Sequence, residues 1–80
     1  MTDWMKGFDA LNRALLAHQD DTGLVSSSEV ARLITNFDLI YHLNLPKDVV
    51  VDLLQTLETP DYKVHAQEYC RALLESLQAQ

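Results

Sequence analysis

Eighty residues with 48% apolar side chains make one small globular domain rather than a disordered tail, with little stability in reserve. Twelve acids against six bases give a formal charge of −6, which disfavours nucleic acid and suits a basic peptide or protein surface, besides keeping the chain soluble. The longest apolar run, Ala14-Leu15-Leu16-Ala17, is far short of the roughly 20 residues of a membrane span; Met1–Lys6 lacks the form of a secretory signal, and Cys70 stands alone, all of which fits a reduced cytoplasmic protein.

The first predicted helix runs from Trp4 to Ala17, with Trp4, Phe8, Leu11, Ala14 and Leu15 at helical spacing and Thr2 or Asp3 as its cap. Gln19-Asp20-Asp21-Thr22-Gly23 breaks it. The second helix starts after Ser26, where Ser26-x-x-Glu29 has the form of a capping box, hydroxyl and carboxylate each satisfying the other's backbone N–H. Its stripe is Val30, Leu33, Ile34, Phe37, Ile40 and Tyr41. Asn44-Leu45-Pro46 ends it and opens a third helix, with proline tolerated in the first turn and Val49, Val50, Leu53, Leu54 and Leu57 inward. Thr59-Pro60-Asp61 breaks the chain again. The fourth helix spans about His65 to Leu77, with Tyr69, Ala72, Leu73 and Leu77 inward. Val25 and Val64 fit no helical stripe; each sits alone in a polar stretch and suits one rung of a very short strand pair.

The halves repeat with a period of 39: Val25 falls on Val64, Glu29 on Glu68, Leu11 on Val50, Leu15 on Leu54, Val30 on Tyr69 and Ile34 on Leu73. A fixed period of this length signals a duplicated helix–loop–helix unit, one over about 3–42 and one over about 45–79 of a single 1–80 domain. Coincidence between two helical hairpins is the alternative.

Gly23-Leu24-Val25-Ser26-Ser27-Ser28-Glu29 resembles the back of an EF-hand loop: turn glycine, apolar strand residue, closing glutamate. Val64-His65-Ala66-Gln67-Glu68-Tyr69 resembles the end of a second, and Leu45-Pro46-Lys47-Asp48-Val49 the start of a third helix in that family. The chain thus resembles a single calmodulin-like lobe of the EF-hand family, similar to a myosin light chain. The fold so implied is all-α, four helices as a pair of EF-hand-type units with a minimal two-strand contact between their loops.

The calcium ligands of that family are missing. Counting back from Glu29 puts His18 at position one, Asp20 at three and Thr22 at five; from Glu68, position one is Leu57 and position six Tyr62. Histidine suits a hard cation poorly, leucine offers no oxygen, and tyrosine resists the left-handed turn. Aligned by their incoming helices instead, the loops 19–29 and 58–68 are each eleven residues, one short. No metal or other cofactor is expected.

His18, His42 and His65 lie on separate segments without ligand spacing. Cys70 near His65 lacks an orienting third group and a Gly-rich turn, so no enzyme is expected. Ser26, Ser27 and Ser28 serve as helix caps, with phosphorylation the alternative. The resemblance implies a calcium-independent, light-chain-like subunit holding a basic amphipathic, IQ-type helix, with an unconventional myosin neck the leading partner. The groove would be lined by Leu11, Leu15, Leu33, Ile34, Phe37, Leu53, Leu54, Tyr69, Leu73 and Leu77, with Phe37 as its aromatic anchor. Asp38, Asp52, Glu58 and Glu75 would supply an acidic rim. The alternative is a homodimeric helical adaptor or inhibitor unrelated to EF-hands.

Overall fold

The computed structural model describes residues 3–79. In chain order the elements are α1 (Asp3–Ala17), β1 (Leu24–Ser26), α2 (Ser27–Tyr41), α3 (Lys47–Leu57), β2 (Lys63–His65) and α4 (Ala66–Gln78). The architecture is mostly helical with one small antiparallel sheet. None of these helices is long and apolar enough to cross a membrane.

Asp3 lies within α1 rather than before it, and the expected cap at Thr2 lies outside the described residues. Its stripe buries Phe8, Leu11 and Leu15. Trp4 stacks on Phe8 with ring centres 5.0 Å apart, and its indole N–H donates to the Leu43 carbonyl at 2.9 Å. Helix α2 is capped by Ser26, whose hydroxyl accepts the Glu29 N–H at 3.3 Å. The return half of the capping box is absent, because Glu29 turns its carboxylate to Arg32 and His18 instead. At the other end His42 takes a left-handed conformation (φ 55°) and the Leu43 N–H reaches back to the Asp38 carbonyl. That is the pattern that satisfies the last carbonyls of a helix.

The linker differs from the reading of the sequence. Leu43 and Leu45, which follow no period, are buried at 3% and 6% exposure, while Ile40 at 66% and Tyr41 at 38% face solvent. The helix ends at Tyr41, and the tight turn at His42 sends the next leucines inward. Pro46 stands just before α3, not in its first turn, and its carbonyl accepts the Val50 N–H. Of the five α3 positions expected inward, Val50 alone belongs to the buried core, at 8% exposure, and the other four are half-buried against it.

Val25 pairs with Val64 across the sheet, and both are buried. The duplication reaches the individual hydrogen bonds. The Asp20 N–H donates to the Leu24 carbonyl at 2.8 Å, and 39 residues on Thr59 N–H donates to Lys63 at 2.7 Å. Gly23 N–H donates to Asp20 at 3.0 Å and Tyr62 N–H to Thr59 at 2.9 Å. Even the side chains match: the Asp20 carboxylate accepts the Leu24 N–H at 3.0 Å, the Thr59 hydroxyl the Lys63 N–H at 3.2 Å. Two bonds cross between the loops, Ser27 N–H to Tyr62 carbonyl and Ala66 N–H to Gly23 carbonyl.

The match includes backbone shape. Gly23 has φ 84° and its counterpart Tyr62 has φ 61°, so tyrosine occupies a turn that its Cβ opposes. The left-handed conformation costs a non-glycine residue about 1–2 kcal/mol, against about 0.5–1 kcal/mol of extra chain entropy lost by glycine. Tyr62 is 71% exposed and gives up little packing. Tyr62→Gly is therefore expected to raise stability by about 0.5–1 kcal/mol. A urea titration showing a loss instead would mean that the ring is held by contacts worth more than its strain.

Candidate functional site

Two regions carry candidate chemistry: the paired loops and a cleft between α2 and α3. In the first loop Asp20 accepts from the Thr22 hydroxyl at 2.6 Å and from the backbone N–H groups of Thr22 at 2.8 Å and Leu24 at 3.0 Å. These bonds, the hydroxyl's foremost, hold its carboxyl down at about 2. The ammonium of Lys63, from the opposite loop, lies 3.9 Å from its second oxygen. Glu29 is held below its ordinary range chiefly by the Arg32 guanidinium, and His18 Nε2 sits 3.3 Å from it. In the second loop Glu58 accepts from the Ser27 hydroxyl, tying the two units together, and Glu68 lies near His65. Of the acids the sequence marks as candidate ligands, Asp20 thus serves as a turn acceptor, while Glu29 and Glu68 face basic or histidine side chains. Among the described residues no three His, Cys, Asp or Glu side chains are grouped to hold a metal ion. Burial pushes the half-buried Cys70 thiol up to about 11, which keeps it protonated and a poor nucleophile near neutrality.

The cleft has a volume of about 340 Å³. Helix α2 contributes Ala31, Ile34, Thr35, Asp38 and Leu39, and α3 contributes Lys47, Val50, Val51 and Leu54, with Leu45 at the linker end. Each set follows i, i+3, i+4, i+7 spacing, so each helix turns one continuous face to the cleft. Leu39 is 71% exposed and Val51 50% exposed.

The repeat explains why this cleft exists. A shift of 39 residues carries α1 onto α3 and α2 onto α4, so the counterpart of the α1–α4 contact is a contact between α3 and α2. The first is made; α1 packs on both α2 and α4. Helix α3 packs on α4 and β2, while the α2–α3 junction is left largely open. Matched side chains show the difference: Leu11 and Leu15 of α1 are 0% and 1% exposed, whereas their counterparts on α3, Val50 and Leu54, line the cleft.

Ten residues were expected to line a groove, and Ile34 and Leu54 do. Leu11, Leu15, Leu33, Tyr69 and Leu73 are instead buried in the core, because α1 and α4 close over them. Phe37, Leu53 and Leu77 are half-buried against that core, and Phe37 stacks on Tyr41 at 6.0 Å rather than facing the cleft. Of the expected acidic rim, Asp38 lines the cleft, Asp52 and Glu75 are exposed, and Glu58 is engaged with Ser27. The residues that the stripes miss are Leu39 and Val51. Their signal was present: in the run Val49-Val50-Val51 one valine must face away from the core, and Leu39 stands off the α2 stripe.

Comparison with known proteins corrects the EF-hand reading. A family model described as "Family of unknown function (DUF5580) C-terminal domain" matches residues 2–61, and no EF-hand family does. Nothing among the curated proteins and nothing among the solved structures matches the chain. The chain belongs to the DUF5580 C-terminal domain family.

Proposed function

We propose that this member of the DUF5580 C-terminal domain family is a non-enzymatic binding module whose α2–α3 cleft receives the apolar face of a basic amphipathic helix. The observation that carries the reading is the unmade half of a duplicated packing scheme: two parallel sets of helical-face residues, with Leu39 and Val51 exposed, lacking the helix contact that their counterparts have. A third helix laid between them restores it, reading as anchors at i, i+4 and i+7. The charge of −6, with Asp38 in the cleft and Asp48 and Asp52 exposed along α3, favours Lys and Arg on the partner's flanks. A light-chain-like role on an IQ-type myosin neck drew on the EF-hand resemblance, and the proposal here stands on the cleft alone.

The test is a fluorescence titration with a tryptophan-free Leu/Lys amphipathic peptide, beside a Leu/Glu peptide of the same pattern. Binding is expected for the first, with the Leu/Glu peptide at least about tenfold weaker. Leu39→Asp combined with Val51→Asp is expected to weaken the Leu/Lys complex by at least about tenfold, about 1.4 kcal/mol, with the melting temperature nearly unchanged because both side chains face water. Equal binding by the variant would place the site elsewhere. Self-association through the same cleft, where Leu39 and Val51 are exposed, is the competing occupant. A stable dimer in sedimentation that leaves the cleft closed to peptide would favour it.

Binding is expected to be independent of calcium, since Asp20 and Glu29 are already engaged. Even a weak site of ~0.1 mM would add about 1.4 kcal/mol at 1 mM calcium, or several degrees of melting temperature. A melting temperature that holds within about one degree on adding 1 mM calcium is the expected result; a rise of several degrees would show a working site.

A further inference from the structure

Asp38 belongs to two structures at once. Its side chain lines the cleft from α2, and its Oδ1 accepts the Asn44 N–H at 2.6 Å. Its backbone carbonyl accepts from His42 and Leu43. His42 and Asn44, both at φ 55°, are held in left-handed conformations that non-glycine residues resist. The bonds to Asp38 hold this linker from the α2 side, and the Trp4 indole holds it from α1 through the Leu43 carbonyl. The other charged side chain lining the cleft is Lys47, at the start of α3.

We infer that Asp38 is a latch coupling occupancy of the cleft to release of the 42–46 linker, a cation on the bound helix drawing its carboxylate away from the Asn44 N–H. The inference rests on the helix-binding reading above and names the chemistry of its partner more closely. At the linker end of the cleft the bound helix presents Lys or Arg toward α2, and an acid or neutral polar group toward Lys47 on α3. An Arg or Lys competes well for the carboxylate, because a charge-assisted bond is stronger than one from a neutral backbone N–H. Once the Asn44 N–H is free, only the backbone bonds to the Asp38 carbonyl hold His42 and nothing on α2 offsets the strain at Asn44, so α3 can swing away from α2 and widen the site. A partner without the cation meets a latched, narrower cleft.

Trp4 is the chain's single tryptophan, so its emission reports the linker directly. Amide hydrogen exchange is read by NMR for the full chain, free and saturated with the tryptophan-free Leu/Lys peptide. The Asn44 amide is expected to exchange at least about tenfold faster in the complex, with Trp4 emission shifted to the red, while the Leu24 and Lys63 amides keep their protection. In the free protein Asp38→Ala is expected to reproduce both changes, and Asp38→Asn, which keeps an acceptor oxygen, to leave them near wild type. Peptide bound with Asn44 still protected, or Asp38→Ala indistinguishable from wild type, would overturn the latch and leave the helix-binding reading standing. Absence of any peptide binding would sink that reading, and the latch with it.

Discussion

Tyr69→Ala should abolish most of the domain's stability, by about 3–5 kcal/mol. Tyr69 is fully buried at 0% exposure, the largest such side chain, and its hydroxyl donates to the Val50 carbonyl at 3.1 Å. A domain of this length has about 4–12 kcal/mol in total, so the variant should be partly unfolded at room temperature. Two effects add: the cavity left by the ring, and the carbonyl deprived of a donor. Tyr69→Phe separates them, since it keeps the ring; its expected cost is about 1 kcal/mol. Burial raises the phenol far above its usual range, so the donor stays protonated throughout the working pH range. The check is a urea titration of both variants by circular dichroism. A cost below about 1.5 kcal/mol for Tyr69→Ala would mean that the neighbouring helices collapse into the space, and that the core is softer than its burial implies.

Gly7→Val should cost about 2–3 kcal/mol. A Cβ on Gly7 would meet the Tyr41 Cβ at 2.5 Å and Cγ at 2.6 Å, and the Leu43 Cδ2 at 3.1 Å. The Tyr41 Cβ is bonded to the backbone, so no rotamer change clears it; α2 itself has to move. Against this, alanine and valine both favour the helix over glycine, by about 1 kcal/mol for alanine and less for valine. Overpacking of a buried helix crossing costs about 1–3 kcal/mol and outweighs that gain. Gly7→Ala, with the smaller side chain and the larger helix preference, should cost about 1 kcal/mol. Thermal melts of the pair should therefore fall in the order wild type, alanine, valine. An alanine variant more stable than wild type would show that the α1–α2 crossing has slack.

These two residues also mark the limits of reading the chain. That Tyr69, Leu11, Leu15 and Leu73 turn inward followed from their spacing, but that they fill the core rather than line a groove did not. The Val25–Val64 pairing followed from the repeat. Gly7 gave no signal, because a glycine within a helical stripe says nothing of what crosses it. Leu43 and Leu45 were missed for a similar reason: their burial is produced by a turn at His42, and no period leads to them. The groove was the largest departure. A stripe shows that a face is apolar but not which face will cover it, and α1 and α4 cover each other while α2 and α3 do not. The family assignment could not be reached from loop spacing, which two helical hairpins with a shared strand pair satisfy without the ligands of the EF-hand family.

The strand pair has a mechanical consequence. Val25 and Val64 lie at the centre of the bonds that cross between the loops, Ser27 to Tyr62 on one side and Ala66 to Gly23 on the other. Such a pair behaves as a fulcrum. Helices α1 and α2 leave it on one chain segment, α3 and α4 on the other, so the molecule is two arms meeting back to back at a pivot, like the halves of a clothes-peg. Spreading α2 from α3 at one side presses α4 against α1 at the other. Helix α1, already packed on α4 with Leu11 and Leu15 buried, sets the stop that limits how far the jaws can part.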